Sequence, residues 1–135
     1  MRYRIESDTL GAVKIPEKAL WGPQTQRSIN NFKIGEPNSM PIEIIRAYSV
    51  LKKSCAKANH ELNILDNKKM KLISDVCDEI HDGIHDNEFP LVIWQTGSGT
   101  QTNMNVNEVI SNRSNVILNK SLLDDKFLKA NDDVN

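Results

Sequence analysis

Between residues 44 and 62 the apolar and small side chains return at steps of four and three, at Ile44, Tyr48, Leu51, Cys55, Ala58 and Leu62. Such steps bring the positions onto one line only in an α-helix, and they draw the narrow stripe that packs helices in bundles. The pattern predicts a helix over 41–62, with Pro41 suited to its first turn. A second stripe, Met70, Ile73, Cys77, Ile80 and Ile84, predicts a helix over 67–82. Asp66 or Asn67 offers its N-cap and Gly83 its end. The linker between them is short, so the pair is expected to run antiparallel, one stripe covering the other. Arg46, Lys52, Lys53 and Lys57 then fall on a solvated face.

The flanking segments read differently. Tyr3 and Ile5, then Leu10–Pro16, suggest two short strands with a turn near Asp8–Gly11. Trp21-Gly22-Pro23 breaks the chain, Gln24–Asn30 suits a short helical turn, and Gly35–Ser39 is a loop. Phe89–Trp94 is an apolar, extended run. A third helix is expected from about Asn103 to Leu118, with Met104, Val109, Val116 and Ile117 as its apolar face, and residues 119–135 form a polar tail. The fold class is therefore mainly α with a small β element, in one domain over 1–135. Hydrophobic residues are 39% and charged residues 26%, a globular composition. A net charge of -1 gives no reason to expect nucleic acid or an anionic membrane as partner. No apolar run approaches the ~20 residues of a membrane span. Nothing in Met1–Glu6 reads as a secretory signal or transit peptide. Cys55 and Cys77 can make neither a disulfide framework nor an iron–sulfur site alone, and they fit a reducing cytoplasm.

The segment richest in chemistry is Thr96–Thr102, with two glycines and the hydroxyls of Ser98, Thr100 and Thr102 just before a helix. Free N–H groups at a helix start favour an anion. The spacing matches neither a P-loop nor a dinucleotide-binding loop, and the alternative is a polar turn with a Ser/Thr cap. Asn103, Asn105, Asn107 and Glu108 follow, polar groups where a packing helix would place none. If buried they need partners, which a bound carboxylate or a neighbouring chain would supply. His81 and His85 have the spacing of two metal ligands, but Gly83 lies between them and no third ligand is near. They read as surface histidines at a helix end. His60-Glu61 lacks the second histidine of a zinc-protease motif and also reads as surface.

The long block Ile93-Trp94-Gln95-Thr96-Gly97-Ser98-Gly99-Thr100-Gln101-Thr102-Asn103-Met104-Asn105-Val106-Asn107-Glu108 closely resembles the first conserved block of class II fumarases (fumarate hydratases). Arg4-Ile5-Glu6-Ser7-Asp8, Trp21–Ser28 with Asn31–Gly35, and Asn131–Asn135 resemble further family segments. The resemblance implies the N-terminal domain of the fumarase/aspartase (L-aspartase-like) fold. Class II fumarases run to more than three times this length, and their catalytic histidine, catalytic serine and Ser-Ser-Asn carboxylate site lie in later blocks.

What the resemblance implies is reversible hydration of fumarate to L-malate, in the tricarboxylic acid cycle, by a cytoplasmic homotetramer (or one of the mitochondrial matrix in a eukaryote) needing no metal or organic cofactor. It assigns substrate-binding roles to Ser98, Gly99 and Thr100, with support from Asn103 and Asn107, and no catalytic acid or base to this chain. The family's accessory dicarboxylate site maps onto Lys126, Lys129, Ala130, Asn131 and Asp132. Lys129 stands where the family has His, and Ala130 where it has Pro. Either the accessory site persists or these are two solvated lysines in a flexible tail. The expectation is a fumarase segment inactive alone. The alternatives are a non-catalytic stub and a sister lyase such as aspartase, against which the Trp94–Thr100 sequence counts.

Overall fold

In a computed structural model describing Met1–Asn135, the chain is built around one helix, α4, Thr100–Ile117. Strands β1 (Tyr3–Asp8) and β2 (Gly11–Pro16) pair antiparallel, with Arg4 opposite Ile15 and Asp8 opposite Gly11. Helix α1 (Pro23–Asn31) follows, then α2 (Ile42–Glu61) and α3 (Asn67–His81), a 3-10 turn at Asp86–Glu88, α4, and a π-helical turn at Ala130–Val134. The strand pair, the two long helices and the helix ends all agree with the sequence reading. Asp66 caps α3 by accepting from the Lys69 N–H at 2.9 Å. Gly83, at φ +86°, ends it: its N–H reaches the Ile80 carbonyl and that of Ile84 the Glu79 carbonyl. No helix is long and apolar enough to cross a membrane.

The face that α2 turns inward differs from the expected one. Ile45, Ser49, Lys52 and Ala56 are buried, each one position after a member of the predicted stripe. Ile44, Leu51 and Leu62 are 42%, 53% and 67% exposed. One residue is about 100° of helix rotation. The small Ser49 and Ala56 let α3 approach closely, and its Leu72, Ile73, Val76, Cys77 and Ile80 fill the space between. Lys52 was expected on a solvated face but is 6% exposed, and burial lowers the pKa of its ammonium. Of its companions, Lys53 pairs with Asp78 at 2.6 Å, and Arg46 donates to the Ile80 carbonyl and to Asp86. Burial pushes the Cys77 thiol up to about 12, while Cys55 is exposed.

Two further expectations change. Helix α4 begins at Thr100, three residues before the expected start, and is buried nearly all round. Val106 and Ile110 join Met104 and Val109 in the core, whereas Val116 and Ile117 are 38% and 36% exposed. The stretch 119–135 is also no loose tail. Leu128 and Val134 are buried, Ser111 donates to the Leu128 carbonyl at 2.5 Å, and Asn115 accepts from the Phe127 N–H at 3.0 Å. The polar residues of α4 tie this stretch down where an apolar helix could not.

Candidate functional site

The start of α4 is made by Gly99, in the left-handed region at φ +72°. Its N–H closes a turn onto the Thr96 carbonyl at 3.1 Å, and its own carbonyl accepts from Asn103 at 3.2 Å. No side chain caps the helix, so the alternative of a polar turn with a Ser/Thr cap lacks its cap. Thr100, Gln101 and Thr102 therefore lie in the first turn, and their N–H groups have no acceptor within the chain. Ser98 and Thr100 are exposed beside them. Gln95 braces the loop by donating to the Val92 carbonyl at 3.0 Å and to Thr102 Oγ1 at 2.8 Å. Gln95 Oε1 and Thr96 Oγ1 are shielded from solvent without a partner. The residues Gln95 and Thr96 themselves line an open cleft of about 490 Å³ that Tyr48, Trp94, Gly97 and Gly99 share. Hydroxyls and unpaired N–H groups at the positive end of a helix can bind a carboxylate.

The asparagine-rich stretch is served differently. Glu108 was expected to need a bound group or another chain. Instead it caps α1: its carboxylate accepts from the N–H groups of Gly22 (2.8 Å), Gln24 (2.8 Å) and Thr25 (3.2 Å) and from Thr25 Oγ1 (2.7 Å). Burial raises the pKa of this carboxyl, and the Thr25 hydroxyl and the three N–H groups pull it down. A proton on either oxygen would face donors, so the cage suits the ionised form. Gly22 is required by space: a Cβ there would lie 2.8 Å from Glu108 Cδ. Asn105 donates to the Glu88 carbonyl at 3.0 Å. Asn103 and Asn107 both donate to Asn135 Oδ1, at 2.8 and 3.1 Å.

The accessory residues Lys126, Lys129, Ala130, Asn131 and Asp132 do meet, around a cavity of about 310 Å³ that Asn112 also lines. They are not a flexible tail, since Ala130–Asp132 open the π-helical turn. The two lysines differ. Lys126 is half-buried, donates to the Leu122 carbonyl and lies 4.0 Å from Glu6, and burial pushes its ammonium down. Lys129 is exposed, and its backbone N–H reaches Asp133 at 2.8 Å. Ser98, Gly99, Thr100 and Asn103 cluster at the start of α4, and Asn107 lies one turn further in, buried.

His81 is exposed, but His85 is not a surface histidine. Its Nε2 lies 2.5 Å from Glu79 Oε2, and Arg113 clamps the same carboxylate at 2.7 and 3.0 Å. His60 Nδ1 lies 3.0 Å from the Leu65 carbonyl. Sequence reasoning missed Asn135, for which no local signal exists, and Arg4. That guanidinium is buried and donates to the carbonyls of Pro16, Glu17, Ala19 and Trp21, setting the path of the chain into α1.

Residues 11–135 match the lyase family profile. The chain is 55% identical over 135 residues to the class II fumarate hydratase of Pasteurella multocida, and 52% to that of Bacillus subtilis; it is covered completely and spans 29% of each relative. A crystal structure of class II fumarase from Schistosoma mansoni superposes with a TM-score of 0.94 at 42% identity, over 99% of this chain and 28% of that one. A fumarate lyase/delta crystallin structure from Brucella melitensis gives 0.90 at 38%, over 99% and 31%. The mainly helical fold with its small sheet is thus that of the fumarase-type lyases, and the chain belongs to the lyase family, with its likeness there to the class II fumarate hydratases.

Proposed function

We propose that residues 1–135 are the N-terminal lyase domain of a fumarate hydratase, acting on fumarate and L-malate, and that they supply the first wall of the substrate site. The observation that carries this reading is the open start of α4: three N–H groups without an internal acceptor, flanked by the exposed hydroxyls of Ser98 and Thr100. Removing a proton from the carbon next to the malate carboxylate puts charge on that carboxylate. Fixed donors aimed at its oxygens stabilise the developing dianion. A general base takes the proton and a general acid helps hydroxide leave. This chain holds donors for the first role, and the acid, the base and the second carboxylate clamp belong to the parts of its relatives that it does not span. Asn103 and Asn107 support the wall. Lys126, Lys129, Ala130, Asn131 and Asp132 form an accessory dicarboxylate site, in which Lys129 offers a point charge where an imidazole would be a fixed donor. The full-length enzyme is a cytoplasmic homotetramer in the tricarboxylic acid cycle.

The experiment is hydration of fumarate by the full-length protein, followed as loss of the double bond's ultraviolet absorbance. Thr100→Val keeps shape and removes one donor to a charged group. Such a bond is worth about 1.5–3 kcal/mol, so kcat/KM is expected to fall roughly 10- to 150-fold. An unchanged kcat/KM would reduce Thr100 to a helix-starting residue. Residues 1–135 alone are expected to show no rate above the buffer.

A further inference from the structure

Asn107 is fully buried on α4, and both hydrogens of its amide are committed, one to Asn135 Oδ1 at 3.1 Å and one to Met104 Sδ at 3.4 Å. Its own Oδ1 is shielded from solvent and has no donor. Asn103, four residues earlier, gives one hydrogen to the same Asn135 oxygen at 2.8 Å. An amide turned over at Asn107 would set two carbonyl oxygens against each other. Asn135 therefore fixes which atom each of these amides offers. It is itself held by the π-helical turn, through its N–H to the Ala130 carbonyl at 3.1 Å, and the turn is anchored by buried Val134.

Thr100, Asn103 and Asn107 follow one another at steps of three and four along a single helix face. With Asn107 able to offer only oxygen, no carboxylate gains a donor from it. Carboxylate binding is left to Ser98, Thr100, the second amide hydrogen of Asn103 and the free N–H groups. We propose that Asn135 is a positioning residue of the substrate wall, its shared carboxamide oxygen holding the Asn103 and Asn107 amides in place behind Thr100. The inference rests on the fumarate hydratase reading.

The test is a set of variants of the full-length protein, measured as kcat/KM for fumarate and for L-malate, with melting followed in parallel. Asn135→Leu removes the acceptor at similar volume. It is expected to lower kcat/KM roughly tenfold in both directions, the loss of one hydrogen-bonding arrangement, and to lower the melting temperature, because the buried Asn107 amide loses its acceptor. Asn135→Asp keeps an accepting oxygen and at high ionic strength, where its charge is screened, is expected to stay within about threefold of the parent. Adding Asn135→Leu to Asn107→Ala is expected to cost less than it costs in the parent, because Asn135 acts in part through that amide. If Asn107→Ala does not fold, Asn103→Ala takes its place, and the added loss shrinks there. Parent-like kcat/KM in Asn135→Leu, equal impairment of the Asp and Leu variants, or losses that multiply in full would each overturn the proposal. A parent without hydratase activity would instead overturn the underlying reading, and this inference with it.

Discussion

Two helices of this chain begin on unusual residues, and their starts have opposite fates. At α1 the N–H groups of Gly22, Gln24 and Thr25 converge on the buried carboxylate of Glu108, delivered from the middle of α4. At α4 the first-turn N–H groups of Thr100, Gln101 and Thr102 meet no acceptor of the chain, and the cap residue is a left-handed glycine with no side chain to offer. Both starts carry the same partial positive charge. One is neutralised from within and welds two helices together; the other has no acceptor within the chain. The contrast teaches that the run from Asn103 to Glu108 is not one binding motif: Glu108 and Asn105 complete the scaffold, whereas Ser98 and Thr100, ahead of the run, are exposed.

The largest expected effect breaks the closed start. Glu108→Gln keeps the shape but places an amide NH2 among donors and leaves buried N–H groups without an acceptor. Each such group costs about 1–3 kcal/mol, so a destabilisation of about 4 kcal/mol is expected, read from the denaturant midpoint. A loss under about 1 kcal/mol would mean that water satisfies the α1 start. Gly22→Ala attacks the same joint sterically, because its Cβ would press on Glu108 Cδ at 2.8 Å. The φ of -116° at Gly22 suits any residue, so space is the whole objection. A loss of about 2 kcal/mol is expected, typical of overpacking. Wild-type stability in this variant would show that α1 can shift away.

A second carboxylate sharpens the point. Glu79 is held by a cation, where Glu108 is held by dipoles. The Arg113 hydrogen bonds, and after them the His85 contact, pull the Glu79 carboxyl below its ordinary range against a smaller opposing push from burial. A depressed value in the folded state means that this group stabilises the protein above the usual glutamate range, near 4.5, and that the contribution fades as pH falls through the lower folded value. Arg113→Met is therefore expected to make stability less steep in acid below about pH 4.5. Equal acid slopes in parent and variant would remove Glu79 from the account.

How much of this could be read in the sequence depends on how local each cause is. Strand pairing, helix extents, the Asp66 cap and the Gly83 stop follow from neighbours in sequence, and they were legible. The inward face of α2 was not. Ile44, Tyr48, Leu51 and Cys55 make the better apolar pattern, yet Ser49 and Ala56 decide the packing because they allow close approach. The loop at Thr96–Thr102 reads in the sequence as an anion site just before a helix, whereas the helix starts within it. The roles of Glu108 and Asn135 were not, since their partners lie 83 to 86 and 28 to 32 residues away. Side chains that close such long loops leave no trace in a local window.

The smallest expected effect tests the open start from the side of stability. Thr100 is exposed, its hydroxyl bonds to nothing in the chain, and it sits at the first position of α4. Valine there keeps the branched shape. Thr and Val have nearly equal helix propensities, and no buried group loses a partner. Thr100→Val is thus expected to leave the denaturant midpoint within about 0.5 kcal/mol of the parent, the range of ordinary surface changes. The same variant is the one expected to lose most of its kcat/KM. A residue whose removal costs activity and not stability belongs to the site, whereas Glu108 is expected to show the reverse order of effects, failing first in stability. A destabilisation by Thr100→Val comparable to that of Gly22→Ala would mean that the hydroxyl caps its own helix, and the difference between the two helix starts would collapse.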